Sequence, residues 1–274
     1  MYTTLIECEE LAAHLGAGDW VVVDCRFDLA DTEAGRQAYL LGHVPGAVYA
    51  HLEADLSGFP LTDNGRHPLP SPAALNALFG RLGISAGTQV VVYDSANGAI
   101  ASRLWWLLRY MGHEAAAVLD GGWGTWQAAD LPEERGEVLA ATAVYHGKPH
   151  TEWLVQAAAV PQQALLVDSR SPARYRGEIE PFDPVAGHIP GAVNFFYQWN
   201  WDTNGRYLPK QQLQAQLTQL LGDIPAEEAT FYCGSGVTAC VNLLVLAHAG
   251  MGNSRLYAGS WSDWITDEKR PFAN

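Results

Sequence analysis

The chain has 274 residues, 48% of them hydrophobic and 17% charged, a length for one large or two medium domains with a full core. Its 30 acids outnumber 16 bases, for a formal net charge of −14, which excludes nucleic acid and anionic membrane surfaces as expected partners. No apolar stretch reaches the ~18 residues of a membrane span, and four sparse cysteines behind an acidic N-terminus, MYTTLIECEELAAHL, lead us to expect a reducing, cytoplasmic compartment.

Along the chain, Cys8 falls in an acidic first helix. VVVD (21–24) is a short β-branched run, continuous rather than alternating, as in strands buried on both faces. GHVPGAV (42–48) is a turn. SPAALNALFGRLG (71–83) predicts a helix with Ser71 as N-cap, Pro72 at the first helical position and Gly83 past the end. VVVYD (90–94) is a second buried strand, and ASRLWWLLRYMG (101–112) a helix closed by glycine. After LDGGWGTW (119–126), the polar stretch between Pro132 and Pro149 reads as a linker.

The motifs then return in the same order. LLVDSR (165–170) repeats VVVDCR (21–26), GHIPGAV (187–193) repeats GHVPGAV, ATFYC (229–233) repeats VVVYD, and YAGSWSDW (257–264) repeats LDGGWGTW. Four matched blocks at nearly the same offset mean two homologous domains. We expect them at 1–130 and 150–274, joined by 131–149. Strands alternating with helices imply an α/β fold, each domain a mainly parallel sheet flanked by helices.

In the second copy, YCGSGVTAC (232–240) places a cysteine where a strand ends and a helix begins. Ligands of open α/β sheets sit beyond the carboxyl ends of strands. A helix start offers free backbone N–H groups and the positive end of its dipole. Gly234 and Gly236 let the loop curl, so that the main chain from Gly234 through Ser235, Gly236, Val237 and Thr238 forms an anion cradle with Cys233 at its edge. Helix N-termini lower a thiol pKa from ~8.5 to ~3.5–7.5, and two units correspond to about 2.7 kcal/mol. Cys233 is therefore the expected nucleophile. The first copy has Asp94 at the matching position, so one working site is expected. Cys8, Cys25 and Cys240 read as structural, and no cysteine–histidine spacing suggests zinc. A cysteine phosphatase would need an arginine closing the loop, where this chain has Ala239 and Cys240.

DSR…GHIPGAV…CGSGVTA…GSW, duplicated with an aspartate replacing the first cysteine, resembles the tandem-domain rhodanese-type sulfurtransferases over nearly the whole chain. The loop is similar to that of the 3-mercaptopyruvate sulfurtransferases. The resemblance implies two rhodanese-like domains, the first without activity. It implies transfer of sulfane sulfur from a small donor, 3-mercaptopyruvate or thiosulfate, through a Cys233 persulfide to an acceptor: a thioredoxin-like protein, a small thiol or cyanide. No cofactor or metal is implied. Arg174 matches the arginine that the family uses for the donor carboxylate, and Ser235 the hydroxyl that assists the thiol. The family's second arginine is missing, since Glu180-Pro-Phe-Asp183 stands there; Arg176 or Arg103 are the candidates to replace it. His43, in GHVPGA, matches a histidine read either as catalytic or as a turn cap, because His188 occupies the same place in the second copy. A thiosulfate-preferring enzyme and a non-catalytic sulfur-relay module are the alternatives.

Overall fold

A computed structural model describes residues 1–61 and 64–274. The chain divides into two compact units. One comprises 1–58, 70–150 and 203–207; the other comprises 59–69, 151–202 and 208–274. The stretch expected as a linker packs with the first unit, where the Gly80 carbonyl accepts Ala143 N–H (2.9 Å) and the Tyr39 hydroxyl accepts Val138 N–H (2.9 Å).

The first unit contains β1 (Leu5–Ile6), α1 (Cys8–Ala12), β2 (Trp20–Asp24), α2 (Ala34–Leu41), β3 (Val48–Tyr49), α3 (Pro72–Arg81), β4 (Gln89–Tyr93), α4 (Ala101–Tyr110), β5 (Ala116–Leu119) and α5 (Gly122–Ala128). Among the described residues its sheet runs β1-β5-β4-β2-β3, with every pairing parallel. The helix at 71–83 forms as its caps dictate: Ser71 Oγ accepts Ala74 N–H at 3.2 Å, and Pro72 supplies a position whose missing N–H costs nothing.

The second unit contains β6 (Leu165–Asp168), α6 (Pro172–Tyr175), β7 (Val193–Asn194), α7 (Lys210–Leu221), β8 (Ala229–Tyr232), α8 (Ala239–Ala249), β9 (Arg255–Leu256) and α9 (Ser260–Trp264). Its sheet runs β7-β6-β8-β9 among the described residues, again parallel throughout. Strands β4 and β8 are buried along their whole length, which is why both read as unbroken apolar runs.

The repeat is also a repeat of interactions. Arg26 and Arg170 are buried, and each guanidinium pairs with a buried aspartate two residues back, Asp24 or Asp168, at 2.6 Å. Each also donates to a glycine carbonyl, Gly42 or Gly187, and stacks on a tryptophan, Trp123 or Trp261. Buried charges persist when paired and hydrogen-bonded in this way. Trp126 and Trp264 anchor the two cores, and each indole N–H donates to a proline carbonyl, of Pro132 or Pro271. No helix among the described residues is long and apolar enough to cross a membrane.

Candidate active site

Beyond β8 the chain turns through residues 233–238 before α8 starts. The turn leading into α9 holds the loop's first residues. Cys233 N–H donates to Ser260 Oγ at 3.1 Å, and the Cys233 and Gly234 carbonyls accept from Trp261 N–H (3.1 Å) and Ser262 N–H (2.9 Å). Gly236 has φ +77°, and a Cβ there would collide with the Ala258 carbonyl. Only glycine allows this close approach, and it turns the Gly236 N–H onto Cys233 Sγ at 3.2 Å.

Cys233 is 2% exposed. Burial pushes its thiol pKa up, but the Thr238 hydroxyl and the amides of Ser235, Ala239 and Gly236 outweigh it and hold the pKa below the ordinary thiol value. The other shifted thiols go the opposite way. Burial raises Cys8 to about 11 against the pull of Arg206, and burial with neighbouring carboxylates raises Cys25 well above its usual value. Val237 is buried in the loop, and Cys240 Sγ donates to the Gly236 carbonyl at 3.5 Å from the first turn of α8.

Two further groups reach the loop. Ser235 Oγ lies 2.7 Å from Nδ1 of His67, and both side chains are buried. Over Gly234, two guanidiniums converge: a Cβ on that glycine would stand 3.1 Å from Arg66 Nη2 and 3.3 Å from both terminal nitrogens of Arg174. Arg174 is held by Glu180 (Nη2–Oε1 2.6 Å, Nε–Oε2 3.1 Å) and reaches Asp183 at 3.4 Å, while Arg66 pairs with the other oxygen of Asp183. Burial raises the Asp183 pKa, against Arg66 and Arg174, which lower it, and with Glu180 adding to the rise.

Sequence-expected residues therefore fall into two groups. Cys233, Gly234, Ser235, Gly236, Val237, Thr238 and Arg174 share one site in the second unit. His43 packs within the first unit, its ring stacked on Tyr39 at 4.2 Å with Nδ1 2.8 Å from the Tyr39 carbonyl. A carbonyl only accepts, so Nδ1 carries the hydrogen. His188 repeats this arrangement on Tyr175, at 3.9 Å and 2.8 Å. Arg176 is an exposed partner of Glu178, and Arg103 is buried in the first unit, donating to the Leu56 carbonyl. Neither meets the loop in these interactions. At the position matching Cys233, the Asp94 carboxylate accepts from four amides, those of Ala96, Gly98, Ile100 and Ala101, at 2.7–2.8 Å. The amide cradle survives there and is filled by the protein's own anion.

Arg66 and His67 escape the motif-by-motif reading because they lie in the first half of the sequence. A signal for them exists. NGRH (64–67) recurs as NGRY (204–207), a fifth repeat, and the two copies fold in exchanged units. The copy with histidine completes the unit that has the cysteine. The copy with tyrosine completes the unit that has Asp94, where Arg206 pairs with Asp120 and Tyr207 N–H donates to the same carboxylate group. Among the described residues no cluster of three histidine, cysteine or carboxylate side chains could hold a metal.

Residues 7–129 and 150–267 each match the rhodanese-like domain family. Along 98% of its length the chain is 45% identical to a probable 3-mercaptopyruvate sulfurtransferase of Pseudomonas aeruginosa, covering 97% of that protein. It is 41% identical to a putative thiosulfate sulfurtransferase of Mycobacterium tuberculosis, with 97% of the chain and 95% of the relative covered. The solved 3-mercaptopyruvate sulfurtransferase from Leishmania major superposes with a TM-score of 0.88 at 31% identity, covering 98% of this chain and 75% of that one.

Proposed function

The chain belongs to the rhodanese-like domain family, and from that membership we propose that it moves sulfane sulfur from 3-mercaptopyruvate, with thiosulfate as a second donor, to a thiol or cyanide through a persulfide on Cys233. The observation that carries this reading is the loop between β8 and α8, where the Gly236 N–H donates to Cys233 Sγ at 3.2 Å and the Thr238 hydroxyl and neighbouring amides hold that thiol's pKa down. The amides are those of Ser235, Ala239 and Gly236, and no cationic side chain lies within the loop GSGVT itself.

The Cys233 thiolate attacks the donor sulfur; an S–S bond forms and, in 3-mercaptopyruvate, the C–S bond breaks (in thiosulfate the donor's own S–S bond breaks and sulfite leaves). The electron pair of the C–S bond leaves on carbon as an enolate, which takes a proton to become pyruvate. Cys233 sulfur is oxidised to the persulfide level and the donor carbon is reduced. Ser235 and His67, 2.7 Å apart, form a pair able to carry that proton. Arg174, whose guanidinium lies over Gly234, meets the donor carboxylate in this reading. A thiol acceptor then attacks the outer sulfur, leaves as its own persulfide and returns Cys233 to the thiol. For His43, the arrangement shared with His188 supports a structural role in both copies in place of a catalytic one. We place the reaction without metal or organic cofactor.

Relatives are named for both donors, so the donor is tested directly. Purified protein is incubated with each donor and its intact mass is measured. A gain of about 32 Da, absent from Cys233→Ser, is expected with 3-mercaptopyruvate. No gain with either donor would overturn the reading and leave a binding or relay module.

A further inference from the structure

The donor side of the loop carries an unusual charge balance. Two cations, Arg66 and Arg174, face Gly234; two acids, Glu180 and Asp183, hold them. Both acid side chains are 3% exposed. The two acids are not equivalent. Glu180 grips Arg174 through two bonds, pairs with Arg170 at 3.2 Å, and accepts the amides of Phe182 (3.2 Å) and Asp183 (3.3 Å). It is a fixed part of the wall. Asp183 instead bridges the two guanidiniums, one oxygen on Arg66 and the other 3.4 Å from Arg174. Both guanidiniums also lie over Phe182, at 5.9 Å and 5.1 Å from its ring centroid. A carboxylate that bridges two arginines lying over Gly234, the residue next to Cys233, has the chemistry of a donor's anionic group.

Resting on the sulfurtransferase reading, we infer that Asp183 determines donor selectivity: its carboxylate occupies the bridge between Arg66 and Arg174 that the donor's anionic group takes, and a donor binds by exchanging for it. With Asp183 ionised, the four groups sum to no net charge, and every unit of donor charge is met by a competitor already in place. Thiosulfate brings two negative charges and 3-mercaptopyruvate one, so Asp183 discriminates against thiosulfate. Coulomb energy scales with donor charge, so removing one negative charge acts about twice as strongly, in logarithmic units, on the dianion.

The test is steady-state kinetics of Asp183→Asn with both donors, beside Arg66→Gln and Arg66→Lys. Asp183→Asn is expected to lower KM for 3-mercaptopyruvate about threefold and for thiosulfate about tenfold, raising the thiosulfate-to-mercaptopyruvate ratio of kcat/KM. Arg66→Gln raises KM for both donors by about tenfold or more, and Arg66→Lys recovers part of it. Asp183→Ser, smaller and neutral, must move the donor ratio in the same direction. If Asp183 only positioned Arg66, both neutral variants would raise KM for both donors alike; that outcome, or an unmoved ratio, overturns the inference while wild-type persulfide formation leaves the sulfurtransferase reading intact. Absence of persulfide in the wild type overturns both.

Discussion

His67 meets Ser235 across 168 residues of sequence, ring nitrogen to hydroxyl oxygen at 2.7 Å. Gly65 makes the approach possible. At φ +81° it lies so close to the Gly259 carbonyl that a Cβ would stand 2.7 Å away, and Arg66 N–H donates to Ser262 Oγ at 3.1 Å. The turn that anchors the Cys233 loop thus also anchors the segment carrying the histidine.

Ser235→Ala and His67→Gln should each lower kcat/KM for 3-mercaptopyruvate by about 10²–10⁴-fold, the range for a lost proton-transfer group. Because the two act as one pair, the double variant should fall little further than the worse single one. Full additivity would show that they work separately.

Cys233 should be the thiol that reacts at neutral pH. Hydrogen bonds to its sulfur hold the pKa below the ordinary thiol value despite burial, so its thiolate persists at pH values where an ordinary thiol is already protonated. The rate of alkylation by iodoacetamide, followed by peptide mass, should therefore show its midpoint at a lower pH than that of a free thiol such as glutathione. Cys8, raised to about 11, should remain unmodified at neutral pH.

His43→Ala and His188→Ala should behave alike. Each loses a ring stacked on tyrosine and a bond to its carbonyl, at a cost of about 1–3 kcal/mol. Denaturant unfolding should register this loss, with kcat/KM for His43→Ala within about twofold of wild type. A loss of activity by His43→Ala without a loss of stability would restore it as a catalytic candidate.

Asp94→Ala should destabilise the fold, since four backbone N–H groups lose their acceptor together. A cost of about 1–3 kcal/mol is expected, read as a lower midpoint in urea unfolding with the kcat of the remaining folded protein unchanged. An increase in stability would mean that burial of the carboxyl, which raises its pKa against those same amides, outweighs the bonds.

What the sequence by itself determined is everything local. Buried strands announce themselves as unbroken apolar runs, Ser71-Pro72 starts its helix where the caps say, and the duplication exposes two copies of one α/β unit. The loop around Cys233 is equally local: strand end, glycines and helix start all lie within YCGSGVTAC, so the amides that ionise the sulfur come from its own neighbours in the chain. The pairs Arg26–Asp24 and Arg170–Asp168 span two residues and are likewise inherent in the motif. Only the tertiary structure decided who faces that loop. Arg66 and His67 sit among glycine and prolines, with no periodicity to mark a partner, and the exchange of NGRH and NGRY between units is a choice of chain path. Asp183 illustrates the same limit. In sequence it is an acid where an arginine was expected; in the fold it bridges two arginines, one of them 117 residues away. Short-range hydrogen bonding is written in order along the chain. Long-range charge pairing depends on which segments the folded backbone brings within a few ångströms, and spacing alone carries no record of that.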